Sequence, residues 1–110
     1  MPQITTVSEA FANMGQRFDA GKAAGVSGSI QFDLTGEGGG KWGVKIGGGT
    51  YELIEGGVPS PTTTLTMSTS DFLSMVNGTL NAMAAFMQGR IKLQGDMGLA
   101  MKFQTMFGIL

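Results

Sequence analysis

Two residue types on which many catalytic sites depend are missing from this 110-residue chain, which has no cysteine and no histidine. Without cysteine there is no disulfide, no thiolate nucleophile and no thiolate metal site. Without histidine, the usual base of a hydrolytic triad and most zinc sites are excluded as well. We therefore expect a protein that is not an enzyme, with no catalytic residues, no metal and no cofactor.

Charge is also scarce, because charged residues make up 14% of the chain against roughly 25% in an average soluble domain. The formal net charge is −1, and the basic residues are scattered along the sequence. A nucleic-acid partner is therefore not expected. A small basic surface patch could be formed by Arg90, Lys92 and Lys102, but solvated surface charge is the simpler interpretation of these residues.

Long hydrophobic runs are absent too. No apolar stretch reaches the roughly 18 to 20 residues that span a bilayer, since polar residues interrupt every candidate. The first residues, MPQITTVSEAF, lack the basic start and long apolar segment of a secretory signal. We expect a soluble, cytoplasmic protein with at most transient membrane contact, folded as one domain over residues 1–110.

The apolar residues that are present, 42% of the chain, first follow a helical period and then an alternating one. Residues 7–18 have helical spacing and are preceded by the capping-box pair Thr6 and Glu9. A short helical piece is predicted over residues 19–24. Alternation then predicts an antiparallel meander of three strands and a later fourth strand, at residues 29–34, 42–46, 51–54 and 62–67.

The last third of the chain returns to helices. Ser68 or Ser70 is suited to cap a first helix, and Asn81 a second one over residues 82–87. A short fifth strand is predicted around residues 91–93. Glycines after both helices favour their termination there.

The final helix, predicted over residues 97–110 with Asp96 as its cap, is apolar around almost its whole circumference. One helix face cannot hold its apolar side chains, which are Met97, Leu99, Met101, Phe103, Met106, Phe107, Ile109 and Leu110. Such a helix must contact the sheet and something else, either a ligand or a partner subunit.

A glycine motif in the middle of the chain has a plain explanation. Gly38, Gly40 and Gly43 match the spacing of a dinucleotide-binding loop, but that loop must lead into a helix. Here a strand follows, which favours a glycine-rich hairpin.

The C-terminal third carries a family resemblance. From Ser70 to Phe107 it reads SDFLSMVNGTLNAMAAFMQGRIKLQGDMGLAMKFQTMF. This closely resembles the end of sterol-carrier-protein-2 domains, where a DF helix, a G-x-L-N turn, an AFxxGKxKxxGD segment and a GLAMKLQ helix follow in that order. The upstream hairpin GSIQFDLTGEGGGKW and the strand YELIEGG are also similar. Arg90 and Phe103 replace a frequent Lys and Leu without changing charge or apolar character.

The resemblance implies an α+β fold, with a five-stranded, mostly antiparallel sheet and helices packed on one face, enclosing a hydrophobic tunnel. It further implies a non-catalytic carrier of fatty acids, fatty acyl-CoA, phospholipids or sterol-like lipids. The candidate lipid-binding residues on the apolar faces are Phe32, Val44, Leu65, Phe72, Met75, Val76, Met83, Phe86, Met87, Leu99, Met101, Phe103 and Met106.

Two alternatives stay open at this point. The nine methionines and seven phenylalanines suit a solid core as well as an adaptable cavity. The apolar C-terminal helix also suits a structural or interaction module that forms a homodimer or docks to an enzyme. If the protein is a carrier, the final helix is the expected gate, because it is terminal and has glycines at its start.

Overall fold

The computed structural model describes residues 4–107 of the chain. They form an α+β fold whose helices and strands follow one another in the predicted order. In chain order the elements are α1 (Val7–Gln16), α2 (Ala20–Ala23), β1 (Gly28–Thr35), β2 (Gly40–Gly47), β3 (Thr50–Glu55), β4 (Thr63–Ser68), α3 (Thr69–Val76), α4 (Ala82–Met87), β5 (Lys92–Gly95) and α5 (Met97–Phe107).

The strands form one mixed sheet with the order β3-β2-β1-β4-β5. The first three make the predicted antiparallel meander. Strand β4 then pairs with β1 in parallel, on the side away from β2, and β5 pairs with β4 antiparallel. Phe32 on the central strand therefore lies between Trp42 and Leu65, and the three side chains share one face of the sheet.

The long helices cover that same face. The ring centroid of Phe32 lies 5.6 Å from that of Phe11 on α1, 5.7 Å from Phe72 on α3 and 5.3 Å from Phe103 on α5. Each such aromatic pair adds roughly 0.5 to 1.5 kcal/mol beyond the burial of its surface. Helices from three parts of the chain thus pack on one face of the sheet, as predicted.

Helix α1 ends at Gln16, two residues before the predicted end at Phe18. Asp19 starts a new helix there, because its carboxylate accepts two backbone N–H groups at the start of α2, at 2.9 and 3.2 Å. Phe18 lies between the helices and packs against Tyr51 and Phe107, with ring centroids 4.8 and 5.1 Å away. Phe18 therefore packs against the core although it lies outside the helix, which is why its spacing fitted the helical pattern.

Helices α3 and α4 both end in a Schellman motif. Gly78 and Gly89 have φ angles of 81° and 77°, in the left-handed region where a Cβ is costly. Their N–H groups donate to carbonyls three residues back at 3.1 Å, and the next N–H groups donate five residues back at 2.9 Å. Residues 79–90, which follow Gly78 and include Gly89, are called the α4 arm below.

Helix α5 starts at the predicted cap. The carboxylate of Asp96 accepts the N–H groups of Gly98 at 2.8 Å and Leu99 at 3.3 Å. Its backbone carbonyl accepts the hydroxyl of fully buried Thr63 at 2.7 Å, which attaches the start of the helix to β4. The helix packs on α2, β1 and β4. Of the predicted final helix, residues 108–110 lie outside the described part of the chain.

Candidate ligand pocket

A pocket of about 110 Å³ lies between the sheet and helices α3, α4 and α5. The sheet supplies one wall, α3 and the α4 arm the second, and α5 the third. Its lining residues are Phe32, Leu65, Met67, Phe72, Met75, Val76, Ala82, Met83, Phe86, Ile91, Leu93, Met97, Ala100, Met101, Phe103 and Gln104.

The pocket lining is apolar except at one position. Fifteen of its sixteen residues have apolar side chains, and Gln104 supplies the remaining amide. None of the sixteen is charged, so the wall offers neither an acid–base pair nor a counter-ion for a buried charge. The arrangement can bind hydrocarbon and can donate or accept hydrogen bonds at one point.

Ordinary strand and helix periods produce these walls. Leu65 and Met67 alternate on β4, and Leu93 on β5 lies directly opposite Leu65 in the antiparallel register. On α5, the lining residues from Met97 to Gln104 recur every three or four positions and so form one stripe. The pocket therefore lies over the edge of the sheet that β4 and β5 form.

Nine of the thirteen predicted lipid-binding residues lie together in this lining. They come from five separate elements and converge only in the folded chain. The nine are Phe32, Leu65, Phe72, Met75, Val76, Met83, Phe86, Met101 and Phe103.

The other four predicted residues lie outside the lining. Val44 is buried on β2, on the far side of β1 from the pocket. Leu99 and Met106 are buried on faces of α5 away from the pocket: Leu99 approaches Gly28 at the start of β1, and the backbone carbonyl of Met106 accepts the N–H group of Asp19 at 2.8 Å. Met87 points outwards from α4 and is 79% exposed.

Seven lining residues were not among the sequence candidates. Two signals in the sequence were available for three of them: Met67 alternates with Leu65 on its strand, and Met97 and Gln104 lie four and three positions from Met101 on the last helix. Gln104 had the second signal but is polar. The seven are Met67, Ala82, Ile91, Leu93, Met97, Ala100 and Gln104.

Four exposed methionines lie on α4 and α5, two of the helices that line the pocket. Met83 and Met87 are one helical turn apart on α4, and Met97 and Met101 are one turn apart on α5. Three of them also line the pocket, and the four are called the methionine rim below. Phe86, 38% exposed, adds to this apolar surface.

Over residues 4–107, no three acidic side chains come together in a way that would hold a metal ion. None of the helices described is long and apolar enough to cross a membrane.

Comparison with known proteins identifies the family. The profile of the SCP-2 sterol transfer family matches residues 11–108. The chain belongs to this family. The sterol-carrier resemblance of the C-terminal third is thereby confirmed and extends over nearly the whole SCP-2 domain.

Relatives of this SCP-2 domain include longer proteins, one named as a sterol carrier and one named as dehydrogenase-like. Human sterol carrier protein 2 is 36% identical over 84 residues, covering 74% of this chain and 15% of that protein. Hydroxysteroid dehydrogenase-like protein 2 of Xenopus tropicalis is 38% identical over 87 residues, covering 74% and 20%. The chain therefore spans 15% to 20% of the length of these two relatives.

A solved structure gives a match of the same length as this SCP-2 domain. The solution NMR structure of palmitated SCP2L2 from Aedes aegypti is 27% identical and superposes with a TM-score of 0.75. The match covers 92% of this chain and 93% of that one. The predicted α+β fold with a five-stranded sheet is confirmed by this agreement, and the hydrophobic tunnel stays a prediction.

Proposed function

We propose that this SCP-2 domain is a non-catalytic carrier that binds the apolar part of one lipid molecule in the pocket and releases it unchanged. The observation that carries the proposal is a pocket with fifteen apolar side chains and no charged one. The proposed ligands are a fatty acid, a fatty acyl-CoA, a phospholipid or a sterol-like lipid. The palmitated Aedes relative, similar over nearly its whole length, supports an acyl ligand.

The lining also suggests how the ligand is oriented. A carboxylate or phosphate buried without a counter-ion is strongly disfavoured, so the charged head of the lipid stays at the mouth. The hydrocarbon end enters and gains roughly 0.8 kcal/mol for each buried methylene. Eight methylenes would give about 6 kcal/mol before the costs of association and ordering.

The pocket must widen to accept a long chain. Its volume of about 110 Å³ is below that of an engineered cavity of about 150 Å³ that holds benzene. In this conformation it accommodates only a short segment of hydrocarbon chain. Five of its lining residues are methionines, whose unbranched thioether side chains rearrange more readily than branched ones. A longer ligand is therefore proposed to separate the walls.

Burial favours the α4 arm, not the final helix, as the wall that moves. Helix α4 buries only Ala82 and Ala85, whereas α5 buries Leu99, Phe103, Met106 and Phe107. The arm also begins and ends next to glycines in the left-handed conformation. Its small buried surface makes its opening the less costly motion.

Ligand titration tests the carrier proposal directly. The full chain, stripped of lipid, is titrated with a fluorescent long-chain acyl probe, which palmitate should then displace. Butyrate, which has the same carboxylate and too little hydrocarbon, serves as the matched ligand control and should not displace the probe. Stoichiometry near one with micromolar or tighter affinity is expected; no uptake of the probe or of palmitate would refute the proposal.

A second candidate function is an interaction module, favoured by the exposed methionine rim. Four thioether side chains and Phe86 form apolar surface on two adjacent helices, a feature of partner-binding faces. The longer dehydrogenase-like relative supports docking to an enzyme. Sedimentation at rising concentration tests homodimer formation, with Met87→Glu as the variant that should abolish it and Ala12→Glu, on exposed α1 surface, as its control.

A further inference from the structure

Among residues 4–107, the methionine rim contains the accessible sulfur. The chain has no cysteine, so thioethers are its only sulfur groups. Among the residues described, Met83, Met87, Met97 and Met101 are 48% to 79% exposed. Thiolates, which usually react first with peroxides, are absent, and oxidation falls on the exposed thioethers.

The remaining described methionines form a natural contrast. Met14 and Met106 are at most 1% exposed and lie away from the pocket, and Met67 and Met75 are buried in its lining. A dissolved oxidant therefore meets the rim sulfurs well before the core sulfurs. The fold needs the core methionines in their reduced, apolar form, whereas the rim methionines are not required for the core to remain packed.

We propose that the methionine rim is an oxidative modification site that controls how well the pocket retains its ligand. A peroxide transfers one oxygen atom to each thioether. A sulfur–oxygen bond forms, the peroxide O–O bond breaks, sulfur loses two electrons, and the reduced peroxide leaves as water. A methionine sulfoxide reductase reverses the change with two electrons from a dithiol, which becomes a disulfide and releases water.

The change in polarity at the mouth links this chemistry to binding. Met83, Met97 and Met101 line the pocket, so a hydrocarbon chain that enters must pass or cover their side chains. A sulfoxide is a strong hydrogen-bond acceptor, and covering it with hydrocarbon removes its water without supplying a donor. Oxidation of the rim should weaken acyl-probe affinity at least about tenfold. This consequence rests on the proposed carrier function.

The test combines peptide mass mapping with ligand titration. The full chain is treated with increasing hydrogen peroxide, the sulfoxides are located by mass spectrometry, and acyl-probe affinity is measured before and after treatment. Circular dichroism confirms that the fold is retained. The rim variant carries Met83→Leu, Met87→Leu, Met97→Leu and Met101→Leu, and the matched core variant carries Met14→Leu and Met106→Leu.

Each variant is compared with itself, through the ratio of its affinity before and after peroxide. The rim variant should give a ratio near one, and the core variant should lose affinity as the parent chain does. Treatment of the oxidised parent with sulfoxide reductase and dithiothreitol should restore binding. Equal loss in the rim variant, or retained affinity in a parent whose rim is oxidised, would overturn the proposal.

The two proposals fail in different ways. If the untreated chain takes up no acyl probe, the carrier function fails, and the order of oxidation still tests the modification site. Rim sulfoxides that form well before core sulfoxides support selective modification. Simultaneous oxidation of rim and core positions contradicts it.

Discussion

The guanidinium of Arg90 lies 3.6 Å from the carboxylate of Asp71, and this ion pair joins the end of the α4 arm to the first turn of α3. The Asp71 side chain is 18% exposed and that of Arg90 48% exposed, so the pair is partly shielded from water. The α4 arm buries little surface of its own. We therefore expect even a modest attraction between Arg90 and Asp71 to contribute a sizeable share of the free energy that holds the arm against α3.

Asp71→Asn should accelerate ligand release. Loss of a partly exposed ion pair changes a free energy by up to about 1 kcal/mol, which corresponds to roughly a twofold to fivefold faster rate. Stopped-flow transfer of the acyl probe to vesicles measures it. High salt should speed release from the parent chain and leave the variant unchanged, because screening acts only on the intact pair. Equal salt dependence in both proteins would contradict this role.

Ala100→Trp should block the pocket. Ala100 lies in the pocket stripe of α5 and is half-buried, so an indole ring there occupies the space a ligand needs. Affinity for the acyl probe should fall at least tenfold, while the free energy of unfolding falls by no more than about 3 kcal/mol, the usual upper cost of inserting a larger side chain. Ala12→Trp, on exposed α1 surface, places the same ring outside the pocket and should bind normally. Unaltered binding by both variants would place the ligand elsewhere.

Asp96→Ala should destabilise the protein by about 1 kcal/mol, because two N–H groups at the start of α5 lose their acceptor. Urea denaturation followed by circular dichroism measures the change. Asp96→Asn keeps an oxygen in place and should recover most of the stability. An equal loss in both variants would show that the charge of Asp96, not its capping bond, is what stabilises the helix.

Phe103→Ala should cost about 3 to 5 kcal/mol of unfolding free energy, as expected for a fully buried phenylalanine. Its ring lies 5.3 Å from Phe32 and 4.6 Å from Phe107, so truncation removes one aromatic contact between the sheet and α5 and one within α5. Met101→Ala, at a position 52% exposed on the same helix, should cost less than about 1 kcal/mol in the same urea titration. Similar losses of unfolding free energy in the two variants would mean that the buried face of α5 with Phe103 does not attach the helix to the sheet.

Hydrogen exchange should identify the moving wall. Amides of the α4 arm are expected to exchange faster than those of α5, because the arm buries two alanines and α5 buries four large side chains. Palmitate should slow exchange in the arm most strongly. Mass spectrometry measures the exchange over residues 79–90 and 97–107. Faster exchange in α5 than in the α4 arm would mean that the final helix, not the arm, is the wall that moves.

The secondary structure was largely predictable because each element carries its own local signal. Alternation marks β1, and the side chains of Thr6, Ser68, Asn81 and Asp96 accept backbone N–H groups at the starts of helices as their identities predicted. These signals depend on neighbours a few residues apart. They do not depend on where the element lies in the sheet.

The position of β4 could not be predicted in the same way. Alternation tells which side chains share a face, but it does not choose the neighbouring strand. Here β4 pairs with β1 in parallel, more than thirty residues earlier in the chain, and this pairing places Leu65 beside Phe32. The predicted Val44 lies one strand too far away for the same reason.

The faces of α5 were ambiguous because apolar residues surround it. Periodicity could not distinguish its core face from its pocket face, so Leu99 and Met106 were grouped with Met101 and Phe103. Gln104 was passed over because a polar residue on such a helix is usually assigned to solvent. Only the packing of α5 against the sheet decides which side each residue occupies.

The lining of the pocket is unevenly divided along the chain. Phe32 is the one lining residue before position 65, and the others come from the stretch between Leu65 and Gln104. The meander and α1 therefore act as a scaffold whose residues can remain constant while the second half changes. New ligand preferences could arise through substitutions confined to that half, and grafting it onto the first half of a relative should transfer them as a unit.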